Sequence, residues 1–367
     1  MSISSDSFFL PKERLDLLLR QLTVAGYQVM GPTVVEGAVQ YRSLQSAAQL
    51  PWGIDALQQP GSYRLQPGEH ARAFAWANGP QGLKPLFFAP QETLWRVARG
   101  PDGLQFQQTM PAVPRLAIIG VRPCDLAALA LQDQHFLQGV EPDTHYATRR
   151  TGALIIAVNC SHPAPTCFCA ATGDGPDAAE GYDLLLDELD GGFLTAPGSE
   201  EGEALLAPLG LKPATPGQRQ QVAAQRTGAT QQQRTVPPQL AGRLSAAAQS
   251  DHWQTIAERC LACGNCTAVC PTCFCHSERD APALDGASSD HLRQWDSCFT
   301  VGHSLLHGNA VRAETAQRYR QWLTHKFDSW HQQYGRSGCV GCGRCIAWCP
   351  VGIDVTAELP ALLGGKP

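Results

Sequence analysis

The chain has 367 residues, with 28 Lys and Arg against 33 Asp and Glu and a net charge of −5 at pH 7, and that length leaves room for two or three domains with proper cores. The basic residues are scattered, which excludes the electrostatic footprint of a nucleic-acid binder and points to protein partners. Fifteen cysteines, clustered in ligand-like spacings, indicate metal in a reducing compartment rather than a disulfide framework.

The first stretch, Met1 to Asp6, lacks a basic segment followed by an apolar run, so no secretory signal is read there. Pro11 opens a predicted helix carried by Leu15, Leu17, Leu18, Leu19 and Leu22 until Gly26 stops it. From there to about Pro114, short apolar runs such as Lys84 to Ala89 lie between Pro and Gly and read as strands and loops. Arg115 to Val121 has the composition of a buried strand and runs into Arg122, Pro123, Cys124 and Asp125, then a helix over Leu126 to Phe136. A second strand, Ala153 to Val158, ends at Asn159 and Cys160. It is the most apolar run and far too short to span a bilayer, so the expectation is a soluble, cytoplasmic chain with no membrane span.

Both strands deliver a cysteine just past their carboxyl ends, the edge at which ligands sit in an open α/β sheet. If the strands are parallel neighbours, Cys124 and Cys160 meet in one crevice. Pro165-Thr-Cys167-Phe-Cys169 adds two thiols, making four, the number a third [4Fe-4S] cluster needs. The competing reading makes Cys124 and Cys160 buried small hydrophobes. Gly173 to Pro176 reads as a turn, since it has neither the P-loop nor the dinucleotide fingerprint. Leu184 and Phe193 flank Asp190-Gly-Gly192, a hairpin signal. Residues 196–250 shift to Pro, Gly, Gln and Ala and read as a mobile connection with helical pieces, for instance around Leu205.

The strongest signal follows. Cys260, Cys263, Cys266, Cys270 and Pro271 are matched by Cys339, Cys342, Cys345, Cys349 and Pro350. Each set spells C-x2-C-x2-C-x3-C-P, in which three cysteines hold one [4Fe-4S] cube and the fourth crosses to the other. This assigns Cys260, Cys263, Cys266 and Cys349 to one cluster, and Cys270, Cys339, Cys342 and Cys345 to a second. Zinc also takes all-cysteine sites, but two complete copies with the trailing proline favour iron and sulfide. Gly264, Gly341 and Gly343 are expected to bring backbone N–H groups toward sulfur. Cys273, Cys275 and Cys298 remain unassigned, either a further site or packing and hydrogen-bonding groups around the clusters. Between the arms, helix-forming sequence over Ala310 to Trp330 carries Arg312, Arg318, Arg320, His325 and Lys326. These form either a solvated face or counter-charges to the anionic clusters.

In combination these motifs resemble the iron–sulfur beta subunit of cytoplasmic multisubunit [NiFe]-hydrogenases (sulfhydrogenases) and the related electron-transfer subunit of anaerobic sulfite reductase. The resemblance rests on Gly120 to Leu126, Thr166 to Cys169, the Cys260 arm with its Pro271-Thr-Cys-Phe-Cys275 tail, Trp295 to Cys298, His325 to Phe327 and the Cys339 arm. The chain is thus read as an α/β (mixed α+β) domain over 1–195, a connection over 196–250 whose Gln-rich composition departs from the family's pattern, and a segment over 251–367 for which the resemblance implies a mainly α-helical ferredoxin-type dicluster domain. The resemblance also implies an electron relay between a flavin subunit handling NAD(P)H and a catalytic subunit, either hydrogenase or sulfite reductase. A rival reading makes the chain a cluster-based reductase acting at Cys124, Cys160, Cys167 and Cys169.

Overall fold

The structure is a computed structural model and describes residues 7–365, so Met1 to Asp6 lies outside the described residues. The core of the first half is an eight-stranded sheet in the order Lys212–Pro213, Phe8–Pro11, Gly192–Pro197, Leu184–Leu189, Leu154–Val158, Leu116–Val121, Gln28–Val35, Ala38–Ser43. Its four middle strands, from Leu184–Leu189 to Gln28–Val35, run parallel, with antiparallel strands outside them. Strands covered on both faces must be apolar at every position, and Leu116–Val121 and Leu154–Val158 are buried throughout. Alternate side chains go to opposite layers. Ala117, Ile119, Ile156 and Leu186 pack with the helix Leu15–Val24, while Ile118, Ile155 and Leu185 pack with the helix Pro123–Leu137.

Lys84 to Ala89, expected as strand or loop, contains a helical turn over Lys84–Phe87. Pro85 in its first turn suits a helix start, where the missing N–H has no partner to lose. The stretch 196–250, read as a connection with helical pieces, contains helices. Glu200–Leu206 is a helix capped by Ser199, and Pro216–Ala229 is a helix opened by a Thr215/Gln218 capping box. The second lies against the sheet through Val222, and its Arg226 donates to both carboxylate oxygens of Asp187 at 2.9 and 2.6 Å. Gln220 and Gln221 face solvent, while Gln225 donates to Glu188 O at 3.1 Å, and one narrow apolar stripe is enough to hold a surface helix.

The second half mixes helix and strand. Helices Thr315–Thr324 and Val355–Leu362 are accompanied by the hairpin His276–Pro282/Ser288–Trp295. That hairpin pairs with Gln91–Gly100, which in turn pairs with Gly103–Gln108, so one four-stranded sheet draws on both halves. No helix among the described residues is long and apolar enough to cross a membrane.

Candidate metal centres

Each ferredoxin-like arm folds the same way locally. The first two cysteines are separated by a residue in the left-handed region, Ala262 at φ +50° and Gly341 at φ +62°. The N–H of Ala262 then donates to Cys260 Sγ at 3.4 Å, and that of Gly341 to Cys339 Sγ at 3.5 Å. Gly264 and Gly343 next open the short helical turns Asn265–Ala268 and Arg344–Ala347, which carry the third cysteines. Gly341 and Gly343 also serve a purpose not read from the sequence. A Cβ on Gly341 would stand 2.5 Å from Cys169 N, and one on Gly343 would stand 2.6 Å from Thr166 O, so only glycine lets the second arm lie on the 166–169 loop.

The structure gathers the expected ligand sets around three cavities. The first is lined by Cys260, Cys263, Cys266 and Cys349, with Cys345 also in its wall. The second is lined by Cys270, Cys339, Cys342 and Cys345. The third is lined by Cys124, Cys160, Cys167 and Cys169, with Cys342 alongside. Leu116–Val121 and Leu154–Val158 are indeed parallel neighbours, and their carboxyl ends bring Cys124 and Cys160 to one crevice. A lone zinc ion would need its sulfurs converged to about 2.3 Å from one point. No group of three or more His, Cys, Asp or Glu side chains among the described residues is arranged to hold a single ion.

The walls suit a sulfur-rich anion. Tyr319 and Trp322 line the first cavity, yet the Tyr319 hydroxyl and the Trp322 Nε1–H are buried with no partner among the described residues. Arg122, 2 % exposed, lines the third cavity with Nε and Nη1 unpartnered, while its Nη2 donates to Phe74 O and Trp76 O. Unmade hydrogen bonds of buried donors are unfavourable, and thiolates and bridging sulfides at these positions supply acceptors. Asn78 donates to Cys124 Sγ at 3.3 Å and to Cys342 O at 3.4 Å, spanning the second and third cavities.

Burial holds most of these thiols protonated in the absence of a cation. It pushes Cys169 up to about 12 and raises Cys124, Cys167, Cys266, Cys342 and Cys345 as well. Thiolate ligation in such a setting requires the positive charge of metal. Of the five basic side chains named over Ala310 to Trp330, Lys326 and Arg318 are buried, and Lys326 forms part of the second cavity's wall. Burial opposes its charge, but the thiols of Cys270, Cys273 and Cys339 outweigh that and raise its pKa.

Cys273, Cys275 and Cys298 line none of the three cavities. Cys273 adjoins Cys270, and Cys275 adjoins Cys298 and His303. The Cys298 thiol, donating to Cys275, lowers the Cys275 pKa against burial, with His303 assisting. Sequence reasoning missed Asn78, which stands in no recognisable motif. It gave no role to Arg122 or Asp125, although both lie inside the quoted Gly120 to Leu126 motif. It also missed Gln232, whose Nε2 donates to Cys169 Sγ at 3.3 Å from inside the supposed linker.

A family model described as a 4Fe-4S dicluster domain matches residues 259–353, which indicates [4Fe-4S] clusters in the segment carrying both arms. Subunit beta of sulfhydrogenase 2 from Pyrococcus furiosus is 28 % identical over 284 residues, covering 74 % of this chain and 79 % of that protein. No solved structure matches the chain.

Proposed function

We propose that this chain, which fits the family of iron–sulfur beta subunits of sulfhydrogenases, is a one-electron relay within a multisubunit oxidoreductase. The reading assigns the first [4Fe-4S] cluster to Cys260, Cys263, Cys266 and Cys349, and the second to Cys270, Cys339, Cys342 and Cys345. A third goes to Cys124, Cys160, Cys167 and Cys169. Bound there, the clusters supply reversible one-electron chemistry. The chain supplies thiolates, oriented N–H and O–H donors, and an apolar wall of Phe168, Phe299, Trp322 and Phe327 around the first and second sites.

The observation that carries this reading is that successive cavities share a wall. Cys345 lines the first and second, and Cys342 lines the second and third. Three cavities in contact form a file along which an electron crosses the chain without any bond to substrate being made on it. The donor is a flavin subunit that handles NAD(P)H, and the acceptor is the catalytic subunit of a hydrogenase, with sulfite reductase as the alternative. We place the complex in the cytoplasm. The rival reductase reading draws no support from the burial of Cys124, Cys167 and Cys169.

The test replaces Cys263 and Cys342 with Ser in the intact complex and verifies loss of cluster iron. NAD(P)H-linked turnover is expected to disappear, whereas each partner subunit keeps its activity with artificial dyes. Retained NAD(P)H-linked turnover overturns the relay.

A further inference from the structure

The two arms are alike in sequence but not in the charge of their surroundings. The wall of the first cavity holds apolar side chains, the Tyr319 hydroxyl, the Trp322 indole and Asn265, with no basic group. The wall of the second holds Lys326, whose chain lies in a single π-helical turn, His325–Ser329, interrupting the helix that begins at Thr315. Such turns recur at functional sites. The Lys326 side chain is 5 % exposed, and its ammonium donates to Thr272 Oγ1 at 2.7 Å and to Gly338 O at 3.3 Å. Thr272 Oγ1 lies 3.2 Å from Cys270 Sγ and Gly338 directly precedes Cys339, so the charge is anchored beside two members of the second ligand set. Among the described residues, no carboxylate pairs with it.

Other cations lie near the arms, but Arg259, just before Cys260, is paired with Glu358, and Arg344, just before Cys345, is paired with Asp125. Arg318 is on the side of the first arm, but its guanidinium is tied to Arg312 O and Ala313 O and forms no part of that cavity's wall. Lys84 is held by Thr267 O and Ala268 O, within the first arm, over the Trp295 ring, and it lies beside both Cys270 and Cys263, so its field falls on both candidate clusters and does not distinguish them. Cys263 is meanwhile the one exposed cysteine of the fifteen. Net charge and exposure both set the potential of such a centre.

We propose that Lys326 raises the reduction potential of the cluster in the second arm above that of the first, making the second arm the station where a transferred electron rests. The inference depends on both arms holding [4Fe-4S] clusters. An electron entering at the exposed first arm then moves inward downhill, and the buried ammonium favours the more negative, reduced form of the second cluster. Lys326 acts here through its charge and does not ligate iron.

The experiment is an EPR-monitored redox titration of the anaerobically purified full chain and of Lys326→Met, Lys326→Gln and Lys326→Arg. Signals are assigned through Cys263→Ser for the first arm and Cys339→Ser for the second. In Lys326→Met the reduction equilibrium of the second cluster is expected to fall at least tenfold, about 59 mV for one electron, with the first unchanged and Lys326→Arg restoring it. If Lys326→Met loses iron, the same shift is required of Lys326→Gln, which keeps a donor for Thr272. A loaded, uncharged variant with unshifted potentials, or with both clusters shifted equally, overturns the proposal. Fewer than about eight irons per chain in the unaltered protein instead overturns the underlying two-cluster reading.

Discussion

Arg344 and Asp125 form a two-point ion pair, Nη1 to Oδ1 at 2.7 Å and Nη2 to Oδ2 at 2.8 Å, with both side chains 1 % exposed. Asp125 follows Cys124 and Arg344 precedes Cys345, so the pair clamps the third candidate site to the second. The Arg344 Nε also donates to Gly79 O at 3.0 Å. Removing one partner leaves an uncompensated buried charge, for which about 3–5 kcal/mol is usual. Asp125→Ala is therefore expected to destabilise by about that amount in anaerobic urea unfolding. Arg344→Lys is not expected to rescue, because an ammonium cannot make the two parallel bonds.

Gly341→Ala tests the contact between the second arm and the 166–169 loop. At φ +62°, with Cβ 2.5 Å from backbone atoms of Phe168 and Cys169, the added methyl forces the two apart. The expected outcome is loss of roughly four irons per chain while the first arm stays loaded. Gly217→Ala, in the helix Pro216–Ala229 with nothing within 4 Å, serves as the control and should be neutral or slightly stabilising.

Unpartnered donors give a sign reversal. If the Tyr319 hydroxyl donates to cluster sulfur, Tyr319→Phe destabilises the iron-loaded protein by about 1 kcal/mol. In the iron-free protein the same hydroxyl is buried without a partner, so the substitution is neutral or stabilising. Unfolding of both forms side by side checks it, and the same loss in both would remove Tyr319 from the first centre.

Glu92 joins the mixed sheet to the α/β core, accepting from Arg293 at 2.6 Å, His145 at 2.8 Å and Arg149 at 2.7 Å. Burial opposes its charge, but these bonds outweigh it and hold its pKa below the ordinary 4.5. Asp143 is likewise lowered below 3.8, with Arg293 the chief partner against burial. A carboxyl with a depressed folded pKa contributes stability above its unfolded value and loses it as pH falls through the folded one. Protection from hydrogen exchange, taken relative to the intrinsic rate at each pH, is therefore expected to fall first in 91–100 and 288–295 as pH drops below about 4, ahead of that in 116–121. Glu92→Gln should flatten that dependence.

Which parts of this were legible in sequence follows from what each signal depends on. The parallel strands ending at Cys124 and Cys160 were readable because full burial on both faces demands unbroken apolar runs. The cysteine sets were readable because cluster geometry fixes local spacing. The hairpin His276–Pro282/Ser288–Trp295 was not, since its polar strands are held by pairing with 91–100, almost two hundred residues away. The helix Pro216–Ala229 hid behind Gln-rich composition because it buries little beyond Val222 and Ala229. Gln232 was lost with it. The roles of Arg122, Asp125 and Arg344 depend on contacts across the whole chain, and no local pattern announces such pairs.

The central claim is three clusters in file, and iron with acid-labile sulfide per chain tests it most directly. The anaerobically purified full chain should contain about twelve of each, with magnetically coupled EPR signals after dithionite reduction, and Cys167→Ser should remove one cluster's share. About eight, unchanged by Cys167→Ser, would contradict it, returning Cys124, Cys160, Cys167 and Cys169 to packing roles and ending the file at the second arm.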